Sequence, residues 1–114
     1  MQEATRAGVR RSDGVAIVDL PPQIDASAEA ALNAAYADAA GGPETRVVLN
    51  FSGVDYLSST GIALVVGILA RSRKDGRQVA ASGLSDHYRE IFEITRLADF
   101  MKIYPDERAA IRGI

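Results

Sequence analysis

The sequence predicts an α/β fold in which about four helices pack on a small mixed sheet of four to five strands. One reason is that strand-like and helix-like segments alternate along the chain in the order β-β-α-β-α-β-α-β-α. The other is size, because 114 residues with 47% hydrophobic composition suffice for one modest core. We therefore expect a single domain over residues 1–114.

A β-hairpin is predicted at the start of the chain. Asp13-Gly14 separates strand-like runs at residues 7–12 and 15–20, and a short turn pair in this position is typical of hairpins. The Pro21-Pro22 pair that follows cannot donate hydrogen bonds to a sheet. It therefore ends the second strand.

The next segments predict a helix and a central strand. Asp25 is a suitable N-cap for the alanine-rich stretch after it, and Gly41-Gly42-Pro43 ends that helix. The β-branched run at residues 46–51 is typical of a strand that is covered on both faces. Residues 52–57 are then expected to form a loop.

The second half of the chain predicts three more helices and two more strands. Asp75-Gly76 is a strong helix stop, and the acids after Pro105 favour a helix start. The predicted segments are a helix at 59–74, a strand at 78–82, a helix within 85–94 capped by Ser85 or Asp86, an apolar strand at 100–104 and a helix from 105.

The composition argues against several classes of protein. The net charge of -2, with basic and acidic residues interspersed, provides no basic stripe for nucleic acid. The longest apolar run, residues 62–70, is shorter than the ~20 residues of a membrane span, and residues 1–15 do not resemble a signal peptide. The absence of cysteine excludes disulfides and favours the cytosol. We expect a cytoplasmic protein that binds neither nucleic acid nor membrane.

No residue pattern in the sequence indicates catalysis. His87 is the sole histidine, and without cysteine it has no partners for a metal site. Nucleophile-elbow, phosphate-loop and dinucleotide motifs are absent from the sequence. Glu90 and Glu93 lie among basic residues, as on a solvated helix face. We expect no enzymatic activity, no metal and no cofactor.

The stretch YLSSTGIALVV, residues 56–66, gathers three hydroxyls directly before an apolar helix. Ser58 or Ser59 would serve as the helix N-cap, which stabilises a helix by about 1 kcal/mol. A cap requires one hydroxyl only. Another of the three, Thr60 included, can therefore be a chemical switch that a kinase or a partner reaches.

The helix predicted after these hydroxyls is apolar on nearly all sides. Four of its residues have the spacing of one core-facing stripe, namely Ile62, Val65, Val66 and Leu69. Leu64 and Ile68 fall on a different side. Two interpretations remain open for this pair: the fold buries them, or they form an exposed patch that meets a partner.

Residues 49–111 resemble the STAS domain, the family of bacterial anti-sigma factor antagonists. The family signature is a strand, a loop that ends in Asp/Ser-Ser-Ser/Thr/Ala-Gly-Leu/Ile, and an apolar helix. The stretch Ser58-Ser59-Thr60-Gly61-Ile62 is similar to this loop, and Leu97–Met101 resembles the turn before the family's last strand. Upstream, Gln23-Ile24-Asp25 stands where the family usually has a Gly-Glu-Leu-Asp-like turn. The resemblance implies the STAS variant of the α/β fold.

The resemblance also implies which residue is phosphorylated and which residues bind a partner. The serine that the family phosphorylates falls on Ser59, with Thr60 and Ser58 as less favoured positions. Ser58 stands where many members have aspartate, and Pro21-Pro22 replaces the usual glycine. The resemblance implies a partner-binding surface at Asp25, Ser58, Ser59, Thr60 and Gly61. If the exposed-patch interpretation of the helix pattern holds, Leu64 and Ile68 belong to this surface as well.

The partner implied by the resemblance is an anti-sigma factor serine kinase of the histidine-kinase-like ATPase type. The unphosphorylated protein would bind this kinase and release the sigma factor, and phosphorylation of Ser59 would block the binding. A serine phosphatase is the second implied partner. The alternative is a STAS module without a switch, for example a scaffold subunit of a lipid-transport ABC system or a module associated with sulfate transporters.

Overall fold

The computed structural model describes residues 7–114. The strands are β1 (Gly8–Ser12), β2 (Val15–Asp19), β3 (Gln23–Ile24), β4 (Arg46–Asn50), β5 (Tyr56–Leu57), β6 (Gln78–Ser82) and β7 (Lys102–Tyr104). The helices are α1 (Glu29–Ala40), α2 (Ser59–Lys74), α3 (Asp86–Ile94) and α4 (Glu107–Gly113). In this part of the chain, no helix has the length and hydrophobicity that a membrane crossing requires. The expectation about a signal peptide falls partly on residues 1–6, which lie outside the described residues.

Five of the strands form one mixed sheet in the order β1-β2-β4-β6-β7. β1 is antiparallel to β2, and all other neighbours in this sheet are parallel. The predicted hairpin is confirmed, because its turn residues Asp13 and Gly14 have φ of 54° and 78°, as hairpin turns with two left-handed residues require. The predicted α/β fold, with four helices on a mixed sheet and β4 at its centre, is confirmed as well.

The core lies on both faces of the sheet. α1, α2 and α3 cover one face and share the larger apolar cluster with it. α4 covers the other face, where Ala110 packs on Val15, Ile17 and Val48. Because β2 and β4 are buried on both sides, their residues are apolar without the alternation of a half-exposed strand.

The side chain of Arg10 connects α4 to the hairpin. Its guanidinium donates to Asp19 at 2.6 and 2.8 Å and to Glu107 of α4 at 2.6 and 3.1 Å. The hydrogen bonds from Arg10, with a further one from Asn50, hold the pKa of Asp19 below its usual value. All three ions are partly exposed, so each pair contributes at most about 1 kcal/mol. The bridge therefore orients α4 more than it stabilises the fold.

Residues 52–57 are not entirely a loop, contrary to the prediction. Tyr56–Leu57 form β5, which pairs in parallel with β3. The carbonyl oxygen of Pro22, directly before β3, accepts from the backbone N–H of Asp55 at 2.7 Å and anchors this pairing. A two-residue strand is too short to leave a periodic pattern in the sequence, so the prediction missed it.

Three elements begin later than predicted. α1 begins at Glu29, because Asp25 caps a 3-10 turn at Ala26–Ala28 that precedes the helix and is not the N-cap of α1 itself. β7 begins at Lys102, because Phe100 closes the preceding 3-10 turn and its side chain is 59% exposed. α4 begins after Asp106, whose carboxylate accepts from the backbone N–H of Ala109 at 2.8 Å. Pro105 therefore precedes the N-cap of α4 instead of lying in its first turn.

The buried face of α2 is rotated from the predicted one. Val65 and Ile68 are buried, whereas Val66 is 45% exposed. The prediction of Val66 in the core was wrong, and so was the interpretation of Ile68 as part of an exposed patch, because its side chain is only 2% exposed. Leu64 is half-buried against the core. Since the helix is apolar nearly all round, its pattern did not fix the rotation, and the close approach of Gly61 to β3 does.

Candidate functional site

The side chain of Ser58 caps α2. Its hydroxyl accepts a hydrogen bond from the backbone N–H of Gly61 at 3.0 Å, and its backbone is extended, as is usual at an N-cap. The hydroxyl also donates to the carbonyl oxygen of Ile24 at 3.4 Å. Of the two serines that the sequence offered as caps, Ser58 is the one used.

Ser59 is the first residue of α2, and its side chain is exposed, as is that of Thr60. Among residues 7–114, no hydrogen-bond partner contacts the Ser59 hydroxyl. The first turn of α2 carries no acidic residue, so the positive end of the helix dipole is not neutralised there. Ser59 therefore presents an accessible hydroxyl at a place that tolerates added negative charge.

Gly61 allows α2 to approach β3 closely. A Cβ atom at this position would clash with the carbonyl oxygen of Ile24 and would lie 2.8 Å from its carbonyl carbon. The same carbonyl oxygen accepts from the backbone N–H of Ser58 at 3.0 Å. The glycine is therefore required by a backbone contact, and this contact fixes the start of α2 against β3.

Asp25 lies near the hydroxyl residues at the start of α2. The reason is that β3 pairs with β5, and Asp25 and Ser58 directly follow these two strands. Asp25 Oδ1 accepts from the backbone N–H of Ser27 at 2.9 Å and from its hydroxyl at 2.5 Å. The hydrogen bond from the Ser27 hydroxyl is the main reason that the pKa of Asp25 lies below its usual value. The site thus includes one oriented, ionised carboxylate.

Most of the predicted site residues therefore lie together. The residues at the junction of β3, β5 and the start of α2 are Asp25, Ser58, Ser59, Thr60 and Gly61. Leu64 lies one helical turn after Thr60 and is half-buried. Ile68 is in the core and does not belong to this surface.

Two tyrosines at the site were missed from the sequence. The hydroxyl of Tyr88, on α3, accepts from the backbone N–H of Leu57 at 2.9 Å. Tyr56 precedes the hydroxyls, and its ring is 50% exposed. The partners in the Tyr88 hydrogen bond are 31 residues apart, so no local pattern could reveal it, whereas an aromatic residue next to the motif was a usable signal for Tyr56. His87 is exposed, as predicted for a solvated side chain.

Replacement of Tyr88 by Phe should lower the free energy of unfolding by about 1–2 kcal/mol, because the buried N–H of Leu57 loses its acceptor. Urea unfolding measures this loss. Tyr56→Phe is the matched control, since it removes a hydroxyl from a half-exposed ring and should change the stability by less than about 0.5 kcal/mol. Equal effects of the two variants would mean that the hydrogen bond to Leu57 does not hold β5 in place.

The arrangement is suited to presenting a hydroxyl to another protein. Ser58 and Gly61 are engaged in fixing the helix start, and Ser59 and Thr60 are the exposed hydroxyl residues beside them. In residues 7–114, no three His, Asp or Glu side chains converge as ligands for a metal ion. Ser59 can accept a phosphoryl group without displacing the N-cap, because the cap is a different residue.

Comparison with known proteins gives both a family and relatives. The family model of the STAS domain matches residues 6–110. The chain is 31% identical over 93 residues to BtrV of Bordetella bronchiseptica, which is named as an anti-sigma factor antagonist, with 82% of this chain and 78% of BtrV covered. It is 35% identical over 57 residues to the anti-sigma-B factor antagonist of Staphylococcus aureus, where the match covers 50% of this chain and about half, 53%, of that relative.

Solved structures extend the likeness in fold. SpoIIAA from Bacillus, determined in its phosphorylated form, has a TM-score of 0.70 at 20% identity, with 93% of this chain and 97% of SpoIIAA covered. A sulfate transporter family protein from Wolinella succinogenes has a TM-score of 0.77 at 15% identity, with 90% and 86% covered. At such identities the likeness establishes the fold alone. The family model and the identity to BtrV decide the membership: this chain belongs to the STAS domain family, whose anti-sigma factor antagonists are regulator-binding domains and not enzymes.

Proposed function

We propose that this chain is an anti-sigma factor antagonist that works as a phosphorylation switch. The unphosphorylated form binds an anti-sigma factor serine kinase of the histidine-kinase-like ATPase type and frees the sigma factor. Phosphorylation of Ser59 blocks this binding, and a serine phosphatase restores it. The proposal places the protein in the cytoplasm, where sigma factors act, and treats the STAS domain as the single domain of the 114-residue chain.

The observation that carries the proposal is that two adjacent serines have different roles. Ser58 uses its hydroxyl to cap α2, while the hydroxyl of Ser59 is exposed and has no partner among residues 7–114. The relatives support it too, since both BtrV and the Staphylococcus aureus protein carry the name of anti-sigma factor antagonist. SpoIIAA, which has the same fold, is known in a phosphorylated form.

A phosphate on Ser59 would change the surface and leave the fold intact. It adds about -1.5 to -2 charges and strong acceptor oxygens at the start of α2. Free backbone N–H groups and the helix dipole favour an anion at this end of a helix. A partner surface that packs against a neutral hydroxyl would then meet a hydrated dianion, and a loss of ~3 kcal/mol in binding free energy lowers affinity by about 100-fold.

Asp25 is the second recognition group in this proposal. Its carboxylate is held by Ser27 and lies near the capped end of α2 through the pairing of β3 with β5. A fixed negative charge favours a positively charged group on the kinase. Thr60 and Leu64 continue the surface along the first turns of α2.

A second candidate function keeps the fold without the switch. The observation that favours this candidate is the similarity in fold to the sulfate transporter family protein. In that case the chain is a static interaction module, for example a scaffold subunit of a lipid-transport ABC system. The start of α2 would then be a permanent interface, and Ser59 would stay unmodified.

Phosphate transfer distinguishes the two functions. The chain is incubated with ATP, Mg²⁺ and each histidine-kinase-like ATPase of its genome, and intact mass and site mapping are measured. We expect one phosphate, on Ser59, that Ser59→Ala abolishes and that Thr60→Ala retains. A phosphate on Thr60 or Ser58 would move the switch to that residue. If none of the kinases adds a phosphate, the static module becomes the better interpretation.

A further inference from the structure

An apolar groove runs along α2 beside the turn that joins α3 to β7. We call it the α2 groove, and it is a cavity of about 350 Å³ whose lining includes Ile62, Val66, Leu97, Phe100, Arg73 and Arg96. Val66 and Phe100 are 45% and 59% exposed, and both line this groove. Contiguous exposed apolar side chains of this kind mark interaction sites.

The charges at the α2 groove are of one predominant sign. Arg96 is paired with Asp99 at 2.6 Å and is therefore neutralised. The guanidinium of Arg73 lies over the ring of Phe100, 5.6 Å from its centroid, and among residues 7–114 it has no carboxylate partner. The groove thus combines an apolar floor with one positive charge that a ligand can pair.

The length of the α2 groove matches a short helix. Ile62 and Arg73 both line it, and they are separated along α2 by roughly 16 Å at 1.5 Å per residue, or about three helical turns. Grooves with apolar anchors spaced over such a length bind amphipathic helices. The groove also begins three residues after Ser59, so its near end adjoins the surface of the proposed switch.

We infer that the α2 groove binds an amphipathic helix of the anti-sigma factor partner, with apolar residues against Val66 and Phe100 and a carboxylate against Arg73. The inference rests on the proposed function and extends it, because it assigns recognition to residues remote from the hydroxyls. Charge complementarity selects the occupant. Of the two arginines that line the groove, Arg96 is paired with Asp99 and Arg73 has no carboxylate partner among residues 7–114, so an acidic residue of the bound helix can pair with Arg73. A phosphate on Ser59 would act at the opposite end of the bound helix.

Binding to the histidine-kinase-like ATPases of the same genome tests the α2 groove. Calorimetry compares Arg73→Glu with Lys74→Glu, the same change of charge on the next residue, which is exposed but does not line the groove. It also compares Val66→Asp with Ala34→Asp, an exposed position in the middle of α1. We expect each groove variant to weaken binding at least about tenfold and each control to stay within about twofold of wild type.

The outcomes separate the groove from the switch, because Ser59→Asp is measured in the same series. If Ser59→Asp loses binding while the groove variants bind like their controls, the inference about the groove is wrong and the proposed function stands. If the wild-type chain binds none of the ATPases, both are wrong. Sedimentation of the chain alone tests whether a second copy of the chain fills the groove. A dimer that Val66→Asp dissociates would show that it does and would overturn the inference. Circular dichroism establishes that every variant is folded.

Discussion

Ser59→Asp should lower the affinity for the anti-sigma factor kinase by at least about 100-fold, with no loss of folding stability. The affinity falls because a fixed negative charge replaces the neutral hydroxyl at the centre of the proposed interface. The fold does not suffer, because Ser59 is exposed and the cap belongs to Ser58. An acid in the first turn of α2, which has none, should even add about 0.3–1 kcal/mol through the helix dipole.

The prediction combines weaker binding with unchanged or higher stability, which distinguishes it from a variant that loses binding because it unfolds. Calorimetry measures the affinity, and thermal unfolding measures the stability of the same samples. Ser59→Ala should bind like wild type, and Ser12→Asp is the charge control, since Ser12 is exposed at the amino end of β2, whereas α2 follows the carboxyl end of β4. Full-strength binding by Ser59→Asp would contradict the switch. Loss of binding by Ser12→Asp would show that the affinity depends on the net charge of the protein and not on a charge at Ser59.

Much of the fold follows from local signals in the sequence. α2 spans Ser59–Lys74 as predicted, because a cap and the Asp75-Gly76 stop bound it on both sides. β4 was predictable because a strand buried on both faces is an unbroken run of β-branched and apolar residues. The hairpin turn was predictable because Asp13-Gly14 suits left-handed backbone.

Features that depend on contacts between distant segments were not predictable in this way. β3 and β5 have two residues each, and their pairing joins segments that neither propensity nor periodicity marks. The rotation of α2 was missed for a related reason. With apolar residues on all sides, the pattern allowed either Val66 or Ile68 to be buried, and the contact between Gly61 and Ile24 decided for Ile68.

The same distinction holds for the candidate site. The resemblance to the STAS family pointed to the hydroxyls, but not to which serine serves as the cap. That choice follows from the positions of the Gly61 N–H and the Ile24 carbonyl oxygen, both of which contact Ser58. Tyr88 holds β5 from another helix. The residues around Ser59 therefore form a rigid frame that hydrogen bonds hold in place. The bonds to Ile24 and Tyr88 join segments that are distant in the chain, so the sequence alone did not reveal the frame.

Gly61→Ala should destabilise the domain by about 3 kcal/mol, because the added Cβ would overlap the backbone carbonyl group of Ile24. Overpacking against a backbone carbonyl costs up to about 3 kcal/mol, and the hydrogen bond between Ser58 and Ile24 would be lost at about 1 kcal/mol more. The higher helix propensity of alanine offsets about 1 kcal/mol. Urea unfolding gives the net value.

Gly67→Ala, on the same helix, is the control with the opposite expected sign. Gly67 is exposed, and a Cβ there meets nothing within 4 Å, so alanine should stabilise α2 by about 0.5–1 kcal/mol. A difference of ~3–4 kcal/mol between two identical substitutions, 6 residues apart in one helix, exceeds the ~1 kcal/mol that helix propensity can supply and therefore reports the contact with β3. If Gly61→Ala proved as stabilising as Gly67→Ala, α2 would not be fixed against β3, and the frame around Ser59 would not be rigid.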